Sequence, residues 1–189
     1  MDSHKLAIKL FASQDVFAPS EFVPVFHRWI QTQALKGHLL IDVADYAHVP
    51  EGPGTVLVTA EANLYTDRGG KEFGLLYGRK LPLPGTFAQR LRAVFAQAAT
   101  AAAMLEEEPS LRGRLNFVTD HWLLRVNDRL AAPNTAETLN EIKGDLLQFA
   151  TTLYGRPAEL VHKPSELTLF EVRVQGGQML PLRTVLEKV

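Results

Sequence analysis

The 189-residue chain contains no cysteine, which excludes disulfide staples, thiolate metal sites and cysteine nucleophiles. It also lacks a surplus of charge. Twenty Lys and Arg stand against 21 Asp and Glu, a formal net charge of −1. Binding to a nucleic-acid backbone draws on counterions released to an excess of cations, and this chain has no such excess, so no nucleic-acid partner is expected. Long apolar runs are missing as well. No segment reaches the roughly 18–20 apolar residues that cross a bilayer, so no membrane partner is expected either. Near the start Lys9 interrupts the apolar run, so a secretory leader is not expected and a cytoplasmic protein is. The signatures GxSxG, HExxH and the P-loop lysine are absent.

Hydrophobic residues make up 46% of the chain and charged ones 22%. A chain of this length buries about 70% of its unfolded surface, so its core needs no covalent support. No linker rich in Ser or Gly divides it, and residues 1–189 read as one domain with a weak seam near Pro109 to Gly113.

Periodicity supplies the elements. Lys5 to Phe11 alternates, with Leu6, Ile8 and Leu10 against Lys5 and Lys9, and reads as a strand. Phe22, Val25, Phe26, Trp29 and Ile30 mark a helix, with Ser20 expected at its N-cap and Gly37 at its end. Strands follow at Leu39 to Ala44, Thr55 to Ala60, Leu64 to Asp67 and Phe73 to Tyr77, the last two joined through Gly69 and Gly70. Thr86 and Gln89 form a capping box before a second helix, which Pro109 closes. Leu115 to Thr119 and Trp122 to Val126 are expected to pair as a hairpin. Asn134 is expected to cap a third helix that Gly155 ends. Two strands, Glu159 to Lys163 and Thr168 to Val174, and a short helix or tail complete the chain.

Hairpins outnumber crossovers, which predicts an α+β protein: an antiparallel sheet with helices on one face. The first half, less one hairpin strand, matches the ferredoxin-like βαββαβ order, and the second half reads as ββαββ, a partial echo of it.

The run Asp42-Val43-Ala44-Asp45-Tyr46-Ala47-His48-Val49-Pro50, continued through Gly52-Pro53-Gly54 to Asp67, resembles a bacterial family of uncharacterised proteins. The later run Val126-Asn127-Asp128-Arg129-Leu130-Ala131-Ala132-Pro133-Asn134-Thr135 resembles the same family. The resemblance covers most of the chain. It implies a bacterial origin and a single module, and it carries no activity.

Chemistry-bearing residues are scattered. Asp42, Asp45 and His48, with Glu51 or Glu61, are the tightest group of metal-type ligands, but on a strand Asp42 and Asp45 point to opposite faces, so turn-capping roles are expected and no metal. Asp120-His121 suggests an acid–base pair at a hairpin tip. Arg129, near the start of the third helix, suits an anion, and Asp128 and Arg129 equally suit a structural tie. Arg68, Lys71, Arg79, Lys80, Arg90 and Arg92 crowd one stretch and read as a solvated face. Gly52-Pro53-Gly54 precedes a strand and serves a turn. Glu106, Glu107 and Glu108 break the helix-dipole rule, either at a solvated helix end or as an acidic patch.

A sheet face left bare by the helices closes by self-association or lines a ligand pocket, and Tyr65, Tyr77, Trp122 and Phe170 are candidates for it, whereas Phe11 reads as core. The expectation is therefore a small-molecule-binding module without catalysis, with His48, Arg79, Asp128 and Arg129 as ligand contacts. A tetrapyrrole version would use His27 or His48 as axial ligand. The alternatives are a homodimer paired through its open sheet face, and an enzyme that gathers Asp42, His48, Arg79, Asp128 and Arg129 in one cleft.

Overall fold

A computed structural model describes residues 1–49 and 52–189. Along the chain run β1 (Leu6–Phe11), α1 (Val23–Thr32), β2 (Leu40–Asp45), β3 (Thr55–Thr59), β4 (Ala62–Asp67), β5 (Gly74–Arg79) and α2 (Phe87–Glu107). They are followed by β6 (His121–Val126), α3 (Ala136–Tyr154), β7 (Glu159–His162), β8 (Phe170–Gln175) and α4 (Leu182–Lys188). Among the described residues the eight strands form one antiparallel sheet in the order β2-β3-β4-β5-β1-β6-β8-β7, with the four helices packed against it. The fold is α+β.

The ferredoxin-like order is not what this sheet displays. Between α1 and α2 the chain lays down four strands, so β2 and β3 extend the sheet where that order has a two-strand hairpin. The second half is also corrected, because residues 115–119 form no strand of the sheet. Phe117 makes only an isolated bridge to Ala12, and its N–H goes to the Glu106 carboxylate at 2.6 Å. The two halves nevertheless share a path. β5 inserts between β1 and β4, just as β8 inserts between β6 and β7, and a helix follows each inserted strand. The adjacent central strands β1 and β6 join the halves.

Burial follows strand parity. Leu6, Ile8 and Leu10, Leu57, Leu64, Leu75 and Tyr77, Trp122, Leu124 and Val126, and Phe170, Val172 and Val174 all face the helices in one core. The alanines of α2, Ala98, Ala99, Ala101 and Ala102, are wholly buried, and their small side chains let α2 lie close to the sheet while α3 and α4 pack beside it. Phe95, Trp122 and Phe149 meet edge to face with ring centroids 5.0–5.8 Å apart, the orientation that the aromatic quadrupole favours. Tyr77, Trp122 and Phe170, considered for the bare face, therefore belong to the core. Phe11, read as core, lies on the opposite side, stacked on His121 at 4.9 Å.

The helix ends show where side chains override a local rule. The α2 capping box forms as expected, and Gly155 ends α3 with φ 70°. Ser20 instead lies in a 3-10 turn, Pro19–Glu21, before α1. Gln33, not Gly37, takes the left-handed stop at φ 46°. Its side-chain amide secures that conformation by donating to Ile30 O and Leu40 O and accepting from Leu40 N. Asn134 gives up the α3 cap to Thr135, because its own amide holds Lys163 O and Thr168 Oγ1.

Candidate functional site

The side of the sheet without helices is built in cross-strand rows. One row runs Asp42, Val58, Asn63, Gly78, Ala7, Arg125 and Glu171 across β2-β3-β4-β5-β1-β6-β8. The next runs Val56, Tyr65, Leu76, Lys9, Leu123, Arg173 and Val161. Directly opposed residues on one face have Cβ atoms about 5 Å apart, so two small neighbours leave a dent that larger ones surround. Gly78 and Ala7 are that pair. The trough above them has a volume of about 180 Å³, with Ala7, Leu76 and Gly78 on its floor and Tyr65, Asp67, Arg125, Lys5 and Lys80 around it.

Charge around the trough is uneven. Lys5, Lys80, Arg79 and Arg125 border it and Asp67 is the acid among its lining residues. Asp67 is already matched: Lys9 Nζ donates to its Oδ2 at 2.5 Å, and also to Glu72 O at 2.6 Å and Gly69 O at 3.1 Å. Lys9 is 1% exposed, although alternation made it a solvent residue. Its three ammonium protons have three acceptors because the β4–β5 connection folds back over this face. Burial pulls the Lys9 pKa below its ordinary value, and Asp67 opposes that shift. The trough wall is thus cationic. Arg125 gives its Nε–H to Glu171, and its terminal nitrogens have no hydrogen-bond partner among the described residues. Arg79 directs Nε to Leu81 O, and Lys80 gives its ammonium to Thr59 O.

Beyond the trough the same face carries a third ion pair after Lys9–Asp67 and Arg125–Glu171, Arg173 with Glu72, and Arg173 also lies 4.5 Å over the Phe11 ring. The Arg173 guanidinium holds the Glu72 carboxyl below the usual range. Asp120 and His121, 2.6 Å apart, start β6 beside this pair.

The expected ligand residues are not brought together. Arg79 borders the trough, whereas His48, Asp128 and Arg129 do not. His48 is exposed after β2 and stacks on Tyr46. Asp128 Oδ1 accepts from Leu130 N and Ala131 N, closing a turn, and Arg129 donates to Leu167 O at 2.9 Å. His27 is exposed on α1. Asp42 accepts from Val43 N and Asp45 from Ala47 N, and Glu51 lies outside the described residues. No group of three His, Asp or Glu side chains among the described residues is placed to hold a metal ion.

The basic stretch is not one solvated face. Arg68 pairs with Asp15 and donates to Phe17 O, and Arg90 is buried against Gly85 O and Met1 O. Two of the three consecutive glutamates are also committed. Glu106 serves Phe117 N, and Glu108 accepts from the Trp29 indole and from Arg28.

Of the residues that shape the trough, Arg79, Lys80 and Tyr65 stood out in the sequence. Parity was the available signal: Lys5, Ala7, Lys9 and Phe11 all alternate away from the Leu6-Ile8-Leu10 face. Gly78 and Arg125 gave none, because cross-strand register is what makes them neighbours of Ala7. No helix among the described residues is long and apolar enough to cross a membrane. Compared with models of known protein families, with curated proteins and with solved structures, the chain matches none.

Proposed function

We propose that the protein binds a small organic molecule in the trough over Ala7 and Gly78, and does so without catalysis. The observation that carries this reading is the Gly78–Ala7 dent, an apolar floor set between the Tyr65 ring and the Arg125 guanidinium. Ligand sites combine apolar walls with a few placed polar groups in this manner. Of the acid–base groups in its lining, Asp67 is held by Lys9, the Tyr65 hydroxyl accepts from Asn63 and Lys80 donates to Thr59 O. That favours binding over nucleophilic or acid–base chemistry. Native mass spectrometry of freshly purified protein tests it. Retained mass, lost on denaturation and absent from Gly78→Val, is the expected result; a ligand retained equally by Gly78→Val overturns the assignment.

A self-associating reading has its own support. β2 is an edge strand, and Leu39 just before it and Ile41 within it are 57% and 54% exposed. Unpaired strand edges invite a second chain. Sedimentation of the protein and of Ile41→Lys separates the two: a dimer lost in the variant supports pairing at β2, and a concentration-independent monomer removes it.

We further infer that the sheet is an expanded ferredoxin-like arrangement, in which β1, α1, β4, β5, α2 and β6 take the six places and β2 with β3 is an added hairpin. The position of β5 between β1 and β4, with β6 on the far side of β1, supports this.

A further inference from the structure

The trough's size and charge point to its ligand class. We propose that it takes a carboxylate carried on a single aromatic ring, with the ring on the Ala7–Leu76–Gly78 floor beside Tyr65 and the carboxylate on the free end of Arg125. This rests on the trough being the binding site.

Size is the first argument. A cavity of about 150 Å³ accommodates benzene, and the trough, open to solvent on one side, offers about 180 Å³. That is room inside the trough for one ring and one small substituent. The floor is low because Gly78 has no side chain and Ala7 has one methyl; the Tyr65 ring closes over one side of it, its Cε2 3.4 Å from where a Gly78 Cβ would stand, and Ala7 and Leu76 are left only 4% and 5% exposed. The Tyr65 ring, hydrogen-bonded through its hydroxyl to Asn63 Nδ2 at 2.9 Å, forms a fixed aromatic wall. Aromatic rings add to area burial when they meet offset or edge to face.

Charge is the second. Arg125 is directly opposite Ala7 on β6, so its guanidinium stands at the edge of the floor. Glu171 takes only Nε, which orients the group and leaves the two terminal nitrogens as a fork. A guanidinium fork matches a carboxylate in two parallel hydrogen bonds. Lys5, two residues before Ala7 on the same face, adds a second positive charge at the mouth. Asp67 is paired with Lys9 and Glu171 with Arg125, so the net positive charge that an entering anion meets is that of Lys5, Arg79 and Lys80 around the mouth.

Titration calorimetry with benzoate, benzyl alcohol and benzylamine tests the class, with Arg125→Gln, Arg125→Lys and Gly78→Val as variants. Benzoate is expected to bind at least about tenfold more tightly than benzyl alcohol, and benzylamine least. Arg125→Gln should remove that preference, Arg125→Lys should restore part of it, and added salt should weaken benzoate alone. Gly78→Val should abolish both benzoate and benzyl alcohol binding while the thermal transition stays cooperative. Equal binding of benzoate and benzyl alcohol overturns the anion assignment and leaves the trough as the site. Binding that survives Gly78→Val overturns both. Failure of benzoate at millimolar concentration overturns the class, and the retained-mass experiment then judges the trough by itself.

Discussion

Lys9 and Asp67 form an ion pair on the helix-free face of the sheet, 2.5 Å apart, with Lys9 1% exposed. The pair joins β1, which supplies part of the trough floor, to Asp67 in its wall. Because two backbone carbonyls complete the ammonium's shell, the charge is matched in three directions. Such a pair fixes geometry more than it adds net stability, since desolvation offsets most of the attraction.

Removing one partner alone is a different matter. Lys9→Met leaves the Asp67 carboxylate without its counter-ion, with only Gly69 N–H still donating to it, and two carbonyls without the ammonium, a loss of about 3–5 kcal/mol. Urea unfolding of Lys9→Met should show that drop, and the Lys9→Met/Asp67→Asn double variant should recover part of it. A double variant no better than the single would show that the two carbonyls, not the carboxylate, need the ammonium.

His38 predicts a pH dependence. Its Nε2 lies 2.7 Å from the Tyr77 hydroxyl, and burial lowers its pKa below 6.5, with Glu61 opposing and Arg79 assisting. The folded state therefore binds fewer protons than the unfolded state just below pH 6.5. Stability contributed by neutral His38 is complete above the unfolded value and is lost as the pH falls from about 6.5 toward the lower folded value. His162, also lowered by burial, acts in the same direction. The melting temperature should fall from pH 7 to pH 5 by less in His38→Gln than in the parent; equal falls would assign the whole effect to His162 and other groups.

Gly176 gives a steric prediction. A Cβ there would fall on the Tyr154 ring, and Tyr154 is buried with its hydroxyl on Thr119 O at 2.8 Å. Gly176→Ala should cost about 1–3 kcal/mol, as overpacking does. Adding Tyr154→Leu should relieve it in a double-mutant cycle, and strict additivity would place the strain elsewhere.

The core was largely legible because periodicity reports it directly. The Leu6-Ile8-Leu10 alternation and the Phe87-Leu91-Val94-Phe95-Ala98 stripe both face the common core. The false hairpin at residues 115–119 arose because an apolar run also suits a segment packed under a helix end: Leu115 and Phe117 are buried there, with no strand pairing beyond the isolated Phe117–Ala12 bridge. Glu106 and Glu108 looked like a broken rule and instead hold Phe117 N and the Trp29 indole. The trough was almost invisible, since it depends on β5 and β6 flanking β1 and on Gly78 and Arg125 standing opposite Ala7. Those are register facts between residues about 70 and about 120 positions away from it, which no local pattern encodes.

Methyl NMR tests the central claim most directly. With methyl-labelled alanine and leucine, benzoate should shift Ala7 and Leu76, on the trough floor, and leave Ala101 and Leu146, on the helix-facing side, in place. The same titration of Gly78→Val should shift none of the four. Shifts that spare Ala7 and Leu76, or that persist in Gly78→Val, would contradict the assignment of the open sheet face as the binding site.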